Sequence, residues 1–168
     1  MSHSFQPLIR KARPGEEADL HEAHMRSIRE VCSKDHTSLE IRGWGNRPLA
    51  GRWTEAIEKD FVLVAELAGK VAGVGHIGIL PDKSDEAHLY VLYLTPEVLG
   101  QGVGFKMAQE MIAFARAKKI KFLRLYSTIT AHHFYQKLGF VDVGEMQSVV
   151  IGGNPVRCYL MVLELNDA

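Results

Sequence analysis

Two glycine clusters in this chain have the spacing to handle an anion, and only one has the right surroundings. Gly100-Gln101-Gly102-Val103-Gly104 follows an apolar, β-rich run and opens an amphipathic segment that starts at Val103. Backbone amides in such a turn point one way, and the positive end of the following helix dipole lies behind them, so a pyrophosphate is a natural ligand. The structural alternative is a glycine-rich turn that only redirects the chain. No Gly-Lys-Ser/Thr follows, which argues against a nucleotide-hydrolysing P-loop. Gly73-Val-Gly75-His-Ile-Gly78 satisfies the dinucleotide string Gly-x-Gly-x-x-Gly, but it lies inside a strand-like run and leads to Pro81, not to a helix. Without that helix the cradle is missing. These glycines are expected to let a neighbour pack close to a sheet, and a nicotinamide-dependent oxidoreductase is not expected.

The remaining chemistry-bearing residues are scattered. His21 and His24 stand i and i+3 with Glu22 between them, which is not His-Glu-x-x-His, and no third ligand is evident, so no metal site is expected. With two cysteines, Cys32 and Cys158, neither a disulfide framework nor a four-thiol zinc site can be built. Cys32 reads as a buried structural thiol.

The elements that must carry these residues follow from periodicity and punctuation. A short strand around Leu8-Ile9 is followed by Pro14 and the acids Glu16, Glu17 and Asp19, which favour a helix N-terminus. Leu20, His24, Ile28 and Val31 then recur at helical spacing. Thr37-Ser-Leu-Glu40 fits a capping box, and the glycines and proline between Gly43 and Gly51 predict two short helices separated by a mobile loop. Phe61 to Leu67 and Val71 to Leu80 read as a hairpin through Ala68-Gly69-Lys70, and His88 to Leu94 as a third strand ending at Pro96. An amphipathic helix from Val103 to Lys119, a strand from Phe122 to Tyr126 and a short helix from Ala131 to Leu138 capped by Gly139 come next. Strands from Phe140 onward and from Val156 to Leu165 close the chain. The order β-α-α-β-β-β-α-β-α-β-β predicts a mixed, layered α/β or α+β sheet flanked by helices.

At 168 residues and 18.8 kDa the chain is expected to form one domain, residues 1–168, with a full core. Twenty basic and twenty acidic side chains leave a net charge of +0, which argues against non-specific nucleic-acid binding. Hydrophobic residues make up 46%, too many for a disordered chain. The N-terminus, Met1-Ser-His-Ser-Phe-Gln-Pro, lacks the basic and apolar regions of a leader, and no apolar run approaches a membrane span, so a cytoplasmic protein without a membrane partner is expected.

A second constellation, Thr128-x-x-Ala131-x-x-Phe134-Tyr135-x-x-x-Gly139-Phe140, follows the next strand. Together with Pro96-Glu-Val-Leu-Gly-Gln-Gly-Val-Gly104 it resembles the two signature segments of the GCN5-related N-acetyltransferase (GNAT) family, and the strand order is similar to that fold over nearly the whole chain. The Ser-Ile-x-Glu-Val-Cys run with the later Gly-Trp-Gly and Arg-Trp segments resembles a bacterial subgroup of it.

The resemblance implies a mostly antiparallel GNAT sheet with helices on both faces and acetyl-CoA as co-substrate. The pyrophosphate would lie on backbone amides from Leu99 through Gly100, Gln101, Gly102, Val103 and Gly104 to Phe105. Leu99 stands where the family usually has Gln or Arg. By the same alignment the Leu92 N–H faces the acetyl carbonyl and Leu94 the pantetheine arm, with Thr128 in place of a frequent Asn and Phe134 beside it. Tyr135 takes the position of the general acid that protonates the leaving thiolate. His88 takes the position of the base, with Tyr90 on the same strand face. Arg26, Glu30, His36, Trp44, Arg47 and Trp53, on the elements that wall the acceptor site in the family, are candidates for reading the substrate. The implied activity is transfer of an acetyl group to a primary amine of a small molecule or peptide, directly within a ternary complex. A non-catalytic acyl-CoA sensor or interaction module on the same fold is the alternative. The family's frequent dimers make a homodimer an expectation.

Overall fold

The computed structural model describes residues 5–165; residues 1–4, part of the stretch read for a leader, and residues 166–168 lie outside it. The strands are β1 (Leu8–Lys11), β2 (Phe61–Leu67), β3 (Lys70–Ile79), β4 (Glu86–Leu94), β5 (Phe122–Ser127), β6 (Val141–Asp142), β7 (Gln147–Ile151) and β8 (Asn154–Glu164). The helices are α1 (Glu17–Glu30), α2 (Ser38–Trp44), α3 (Arg52–Lys59), α4 (Val103–Ala117) and α5 (His132–Lys137), with short 3₁₀ turns at Cys32–Lys34 and Pro96–Val98. The sheet runs β1-β2-β3-β4-β5-β8-β6, and β7 forms a hairpin with β8. Every pairing is antiparallel except β4 with β5.

This is the mixed sheet flanked by helices that the sequence predicts, mostly antiparallel with helices on both faces as the resemblance implies. The two short helices expected after α1 are α2 and α3, separated where Gly45 to Gly51 interrupts the helical pattern, and there is one addition. The segment after Phe140 holds two strands before β8, because Gly152 and Gly153, both at positive φ, turn the chain back at the end of β7.

Local signals explain the main boundaries. Thr37 and Glu40 form the reciprocal capping box: the Thr37 N–H donates to the Glu40 carboxylate at 2.8 Å, and the Glu40 N–H donates to the Thr37 hydroxyl at 3.2 Å. Ala68 and Gly69 both have positive φ in the two-residue β2–β3 turn, the twist that matches right-handed strands. Gly139 at φ +100 closes α5.

One face of the sheet packs on α4 and α5 through Leu63, Ile77, Leu89, Leu123, Met107 and Met111, all buried. A β-carbon at Gly75 would sit 3.1 Å from the Met111 sulfur, so Gly75 admits α4 to the sheet, while β-carbons at Gly73 and Gly78 would run into Leu94 and Asp60; each glycine lets a neighbour pack close, as the sequence context predicts. The opposite face packs on α1, α2 and α3 through Leu20, Ile28, Trp44, Trp53, Val62, Val64 and Val91. Burying each large side chain contributes about 1.5–3 kcal/mol, so both layers matter.

The strand between these layers changes phase. A bulge in the β3–β4 pairing, between His76 and Ile77, sets His76 opposite Val91 and Ile77 opposite Leu89, leaving Tyr90 as the extra residue. Ala87 and Leu89 therefore pack toward α4, while Val91 packs toward α1 and α3. Without the extra residue, strict alternation would keep odd-numbered positions on one face.

Candidate active site

The centre of β4 lies beside a gap in the sheet. Its parallel pairing with β5 covers only Glu86–His88 against Phe122–Arg124, so the last residues of β4 have β3 on one edge and no strand on the other. Thr95 donates its N–H to the Ala72 carbonyl at 2.8 Å. Since successive residues turn their N–H groups to opposite edges, Tyr93 also faces β3, and the N–H groups of Leu92 and Leu94 face the gap.

The glycine turn stands at the upper end of the same gap. Gly100 and Gly102 adopt φ +73 and +77, a left-handed conformation that glycine enters without the usual side-chain penalty, and a β-carbon on either would meet open space. Gly102 starts α4 with no side chain capping the helix, so the first-turn amides remain free for an outside acceptor. At Gly104 a β-carbon would sit 3.3 Å from Leu94 and 3.7 Å from Phe134, which ties the turn to β4 and α5. Gln101 donates from Nε2 to the Glu97 carbonyl at 3.0 Å and so folds back on the turn.

Between these parts is a cavity of about 190 Å³, walled by Ser27, Val31 and Cys32, by Leu92, Tyr93 and Leu94, by Leu99 and Gly104, and by Thr128, Thr130, Ala131 and Phe134. That volume suits the reactive end of a ligand, not a whole nucleotide carrier. Its wall is mainly apolar with a few polar points. Thr128 accepts the Ala131 N–H at 3.0 Å and keeps its own hydroxyl hydrogen to donate. The Thr130 hydroxyl is buried beside the Cys32 thiol. An amide-bearing arm ending in a thioester fits this donor set: free backbone N–H groups along β4, the Thr128 hydroxyl, and the first-turn amides of α4.

Tyr135 is buried in the α4–α5 layer, edge-on to Phe134 and Phe140. Burial drives its pKa well above the usual phenol value, with a smaller push from Cys32, which lines the cavity. Its hydroxyl forms no hydrogen bond to another described residue; Tyr135 does not line the cavity itself but lies behind its Cys32 and Phe134 wall. Burial also lifts the Cys32 thiol to about 12, which keeps it protonated.

The other predicted residues disperse. His88 does not reach the cavity: it stacks 4.6 Å from Tyr90 and 5.7 Å from Tyr126, about 13 Å along the strand from Leu92. Burial lowers its pKa to about 4, so it is neutral at pH 7 and a weak base. Tyr90, the bulge residue, lines a separate cleft with Arg52, Asp60 and His76. Arg26 pairs with Glu30 and, at 2.6 Å, with Glu97 beside the glycine turn, which draws the Glu97 pKa down to about 2. His36 is buried, its Nδ1 3.1 Å from Glu40 and its Nε2 accepting the Ile129 N–H at 3.2 Å, so both ring nitrogens are used. Trp44 packs against His36 and Tyr93. Trp53 is buried beside His24. Phe105 is exposed on the first turn of α4.

Ser27, Val31, Cys32, Tyr93, Thr130 and Ala131 complete the cavity and were not predicted for it. Helical spacing on α1 marks its buried face but not which turn of that face meets the gap. Tyr93 could not be placed because its phase depends on the bulge. Among the described residues no group of three metal-ligating side chains occurs, and no helix is long and apolar enough to cross a membrane.

Known proteins share this fold. The family model described as Acetyltransferase (GNAT) family matches residues 19–140. A GCN5-related N-acetyltransferase from Rhodopseudomonas palustris superposes with a TM-score of 0.80 at 22% identity, covering 98% of this chain and 99% of that one. The PaiA N-acetyltransferase from Thermoplasma acidophilum, in complex with coenzyme A, gives 0.73 at 19% identity over 95% and 99% of the two chains. The yncA protein from Salmonella typhimurium, with its cofactor acetyl-CoA, gives 0.73 at 20% over 97% and 96%.

Proposed function

The chain belongs to the GNAT acetyltransferase family, and from that premise we propose that it moves an acetyl group from acetyl-CoA to a primary amine of a small molecule or peptide by direct transfer in a ternary complex. The observation that carries this reading is the meeting, at one cavity, of two outward N–H groups on β4 with a glycine turn that opens α4. Acetyl-CoA supplies an activated acyl carbon and a thiolate leaving group.

The residues of the chain do the rest. Leu99 through Phe105 hold the pyrophosphate on main-chain amides, backed by the α4 dipole. Leu94 and Thr128 donate to the pantetheine arm, and Phe134 packs along it. The Leu92 N–H donates to the acetyl oxygen, where one preorganised donor contributes about 2.7–4 kcal/mol as negative charge develops. Tyr135 donates to the departing sulfur, whose basicity is near that of a free thiol, about 8.5. With its pKa raised, Tyr135 stays protonated at every working pH. Cys32, also protonated, gives no poised nucleophile, which favours direct transfer over a covalent acyl-enzyme.

The amine must reach the cavity uncharged. No residue lining it is a base, so the ammonium proton goes to solvent water. His88 is too far from the cavity to touch the amine, and any proton it accepts arrives through water.

The test is calorimetric titration with acetyl-CoA and free coenzyme A, followed by thiol release from acetyl-CoA against amines, peptides and aminoglycosides. Binding with turnover supports the reading. An absence of heat and of thermal shift with both ligands would overturn it.

A further inference from the structure

A second cavity, about 200 Å³, lies on the other side of Tyr93, between α1 and the start of α3. His21, His24, Arg47, Arg52 and Trp53 line it together with small and apolar groups, and no acid does. Among the described residues the Arg47 guanidinium has one hydrogen bond, from Nε to the Trp44 carbonyl at 2.9 Å, while the Arg47 carbonyl lies 2.8 Å from the His21 Nε2. Arg52 lies 5.0 Å over the Trp53 ring and 3.3 Å from the His76 Nδ1. Neither guanidinium has a carboxylate partner among the described residues. Asp60 and Glu55, which line the neighbouring cleft with Arg52, pair with His76 at 2.8 Å and with Lys59 at 3.0 Å.

Arg52 is exposed and Arg47 partly so, yet packing around both guanidiniums pulls their pKa values below the usual range; burial lowers that of His24, and both arginines add to it. Two cations facing one cleft with no carboxylate on its wall favour an anionic occupant. Two further sets of unpartnered donors lie on the residues of this wall. The Trp53 indole N–H is buried without a partner, and Arg52 and Trp53 open α3, an eight-residue helix with no side-chain cap. Asp60 is placed to fix the His76 tautomer, so that His76 Nδ1 accepts from Arg52 and holds its fork in place.

We propose that the acceptor is a small amine carrying an anionic group, and that Arg47 and Arg52 hold that group while its amine is presented past Tyr93 to the acetyl-transfer cavity. The spacing fits. Tyr93 lines the acetyl cavity, and its ring is 4.6 Å from that of His24, which lines the basic one. On α1, His24 and Ser27 are less than one turn apart, a rise of about 5 Å. The two cavities thus share a wall, and the planar guanidinium fork suits either carboxylate or phosphate.

This inference rests on the acetyl-transfer reading, and its test separates the two. Tryptophan fluorescence of the full chain is titrated with sodium sulfate at constant ionic strength. Thiol release is then compared between methionine and methioninamide, and between phosphoethanolamine and ethanolamine. The expected result is saturable sulfate binding, and a preference of about 10- to 100-fold in kcat/KM for the anionic member of at least one pair. Arg52→Gln and Arg47→Gln are expected to weaken sulfate binding about tenfold or more and to collapse the preference, while the Lys variants retain part of both. Which pair is used distinguishes carboxylate from phosphate. Absence of saturable sulfate binding, equal use of the neutral members, or an unchanged preference in both Gln variants would each overturn the proposal. Calorimetry with acetyl-CoA on the same samples tells the failures apart, since lost acetyl-CoA binding defeats the parent reading and retained binding without anion preference defeats only this one.

Discussion

The two cavities flanking Tyr93 are built on opposite principles. The one toward α4 and α5 is apolar and neutral, and its recognition groups are main-chain N–H donors on β4 and at the glycine turn. The one toward α1 and α3 is cationic, and its recognition groups are side chains held by a loop and a helix start. Main-chain donors cannot be exchanged by substitution, so the first cavity is suited to an invariant ligand. Side-chain donors can be exchanged one at a time, so the second is suited to a ligand that defines this particular protein.

The largest expected break in that contrast is on the main-chain side. Gly102→Val forces a β-branched residue into φ +77, at a strain of about 1–3 kcal/mol, and crowds the phosphate amides. The acetyl-CoA Kd, read by calorimetry, is expected to rise by about 100-fold or more, with the sulfate response of the basic cavity unchanged. Tyr135→Phe comes next. It removes the O–H offered to sulfur but no packing, so kcat is expected to fall by about 100-fold while the acetyl-CoA Kd holds; unchanged turnover would remove Tyr135 from the mechanism.

Glu40 ties α2 to β8 and, through His36, to the β5–α5 loop. It accepts from Arg157 on β8 at 2.8 Å and contacts His36, which in turn receives the Ile129 N–H of the β5–α5 loop. Despite the cost of its burial, bonds from Arg157, Thr37 and His36 draw its pKa far below the ordinary carboxylate value. A depressed carboxyl pKa means the unfolded chain binds the proton more readily, so this contribution is complete above about pH 5 and is lost as pH falls. Glu40→Gln is expected to cost about 3 kcal/mol in thermal or urea unfolding near neutral pH, with the difference from the parent shrinking in acid.

A smaller effect concerns protons. With no base on the cavity wall, log kcat/KM is expected to climb with unit slope between pH 6 and 9, because an alkyl ammonium titrates near 10; a plateau beginning near neutrality would reveal a base in the protein. The smallest effect is assigned to His88→Ala, below about threefold in rate, whereas a true base contributes about 100-fold or more.

The sequence made the first cavity more legible than the second, for a physical reason. Glycines at positive φ ahead of a helix leave a local trace, and so do the capping box at Thr37 and the two-residue turn at Ala68. The gap beside Leu92 leaves none, since it results from β5 ceasing to pair after Arg124. The acceptor-side residues scatter because α1, α2 and α3 bring together positions far apart in the chain. His36, Trp44 and Trp53 have the residue types of a recognition surface, yet the structure uses them largely as packing, while Arg52, adjacent to Trp53 in the chain, keeps an unmatched charge.

The extra residue at Tyr90 constrains how such a protein can diversify. It acts as a half-step in the strand, upstream of the segment whose amides meet one ligand and whose Tyr93 ring borders the other. Removing it, or inserting a neighbour, would exchange the two faces of everything that follows as far as Leu94. Lineages descending from this chain can therefore vary the lettering of β4 but not its length, whereas the Gly45–Gly51 connection can gain or lose a residue without shifting a strand.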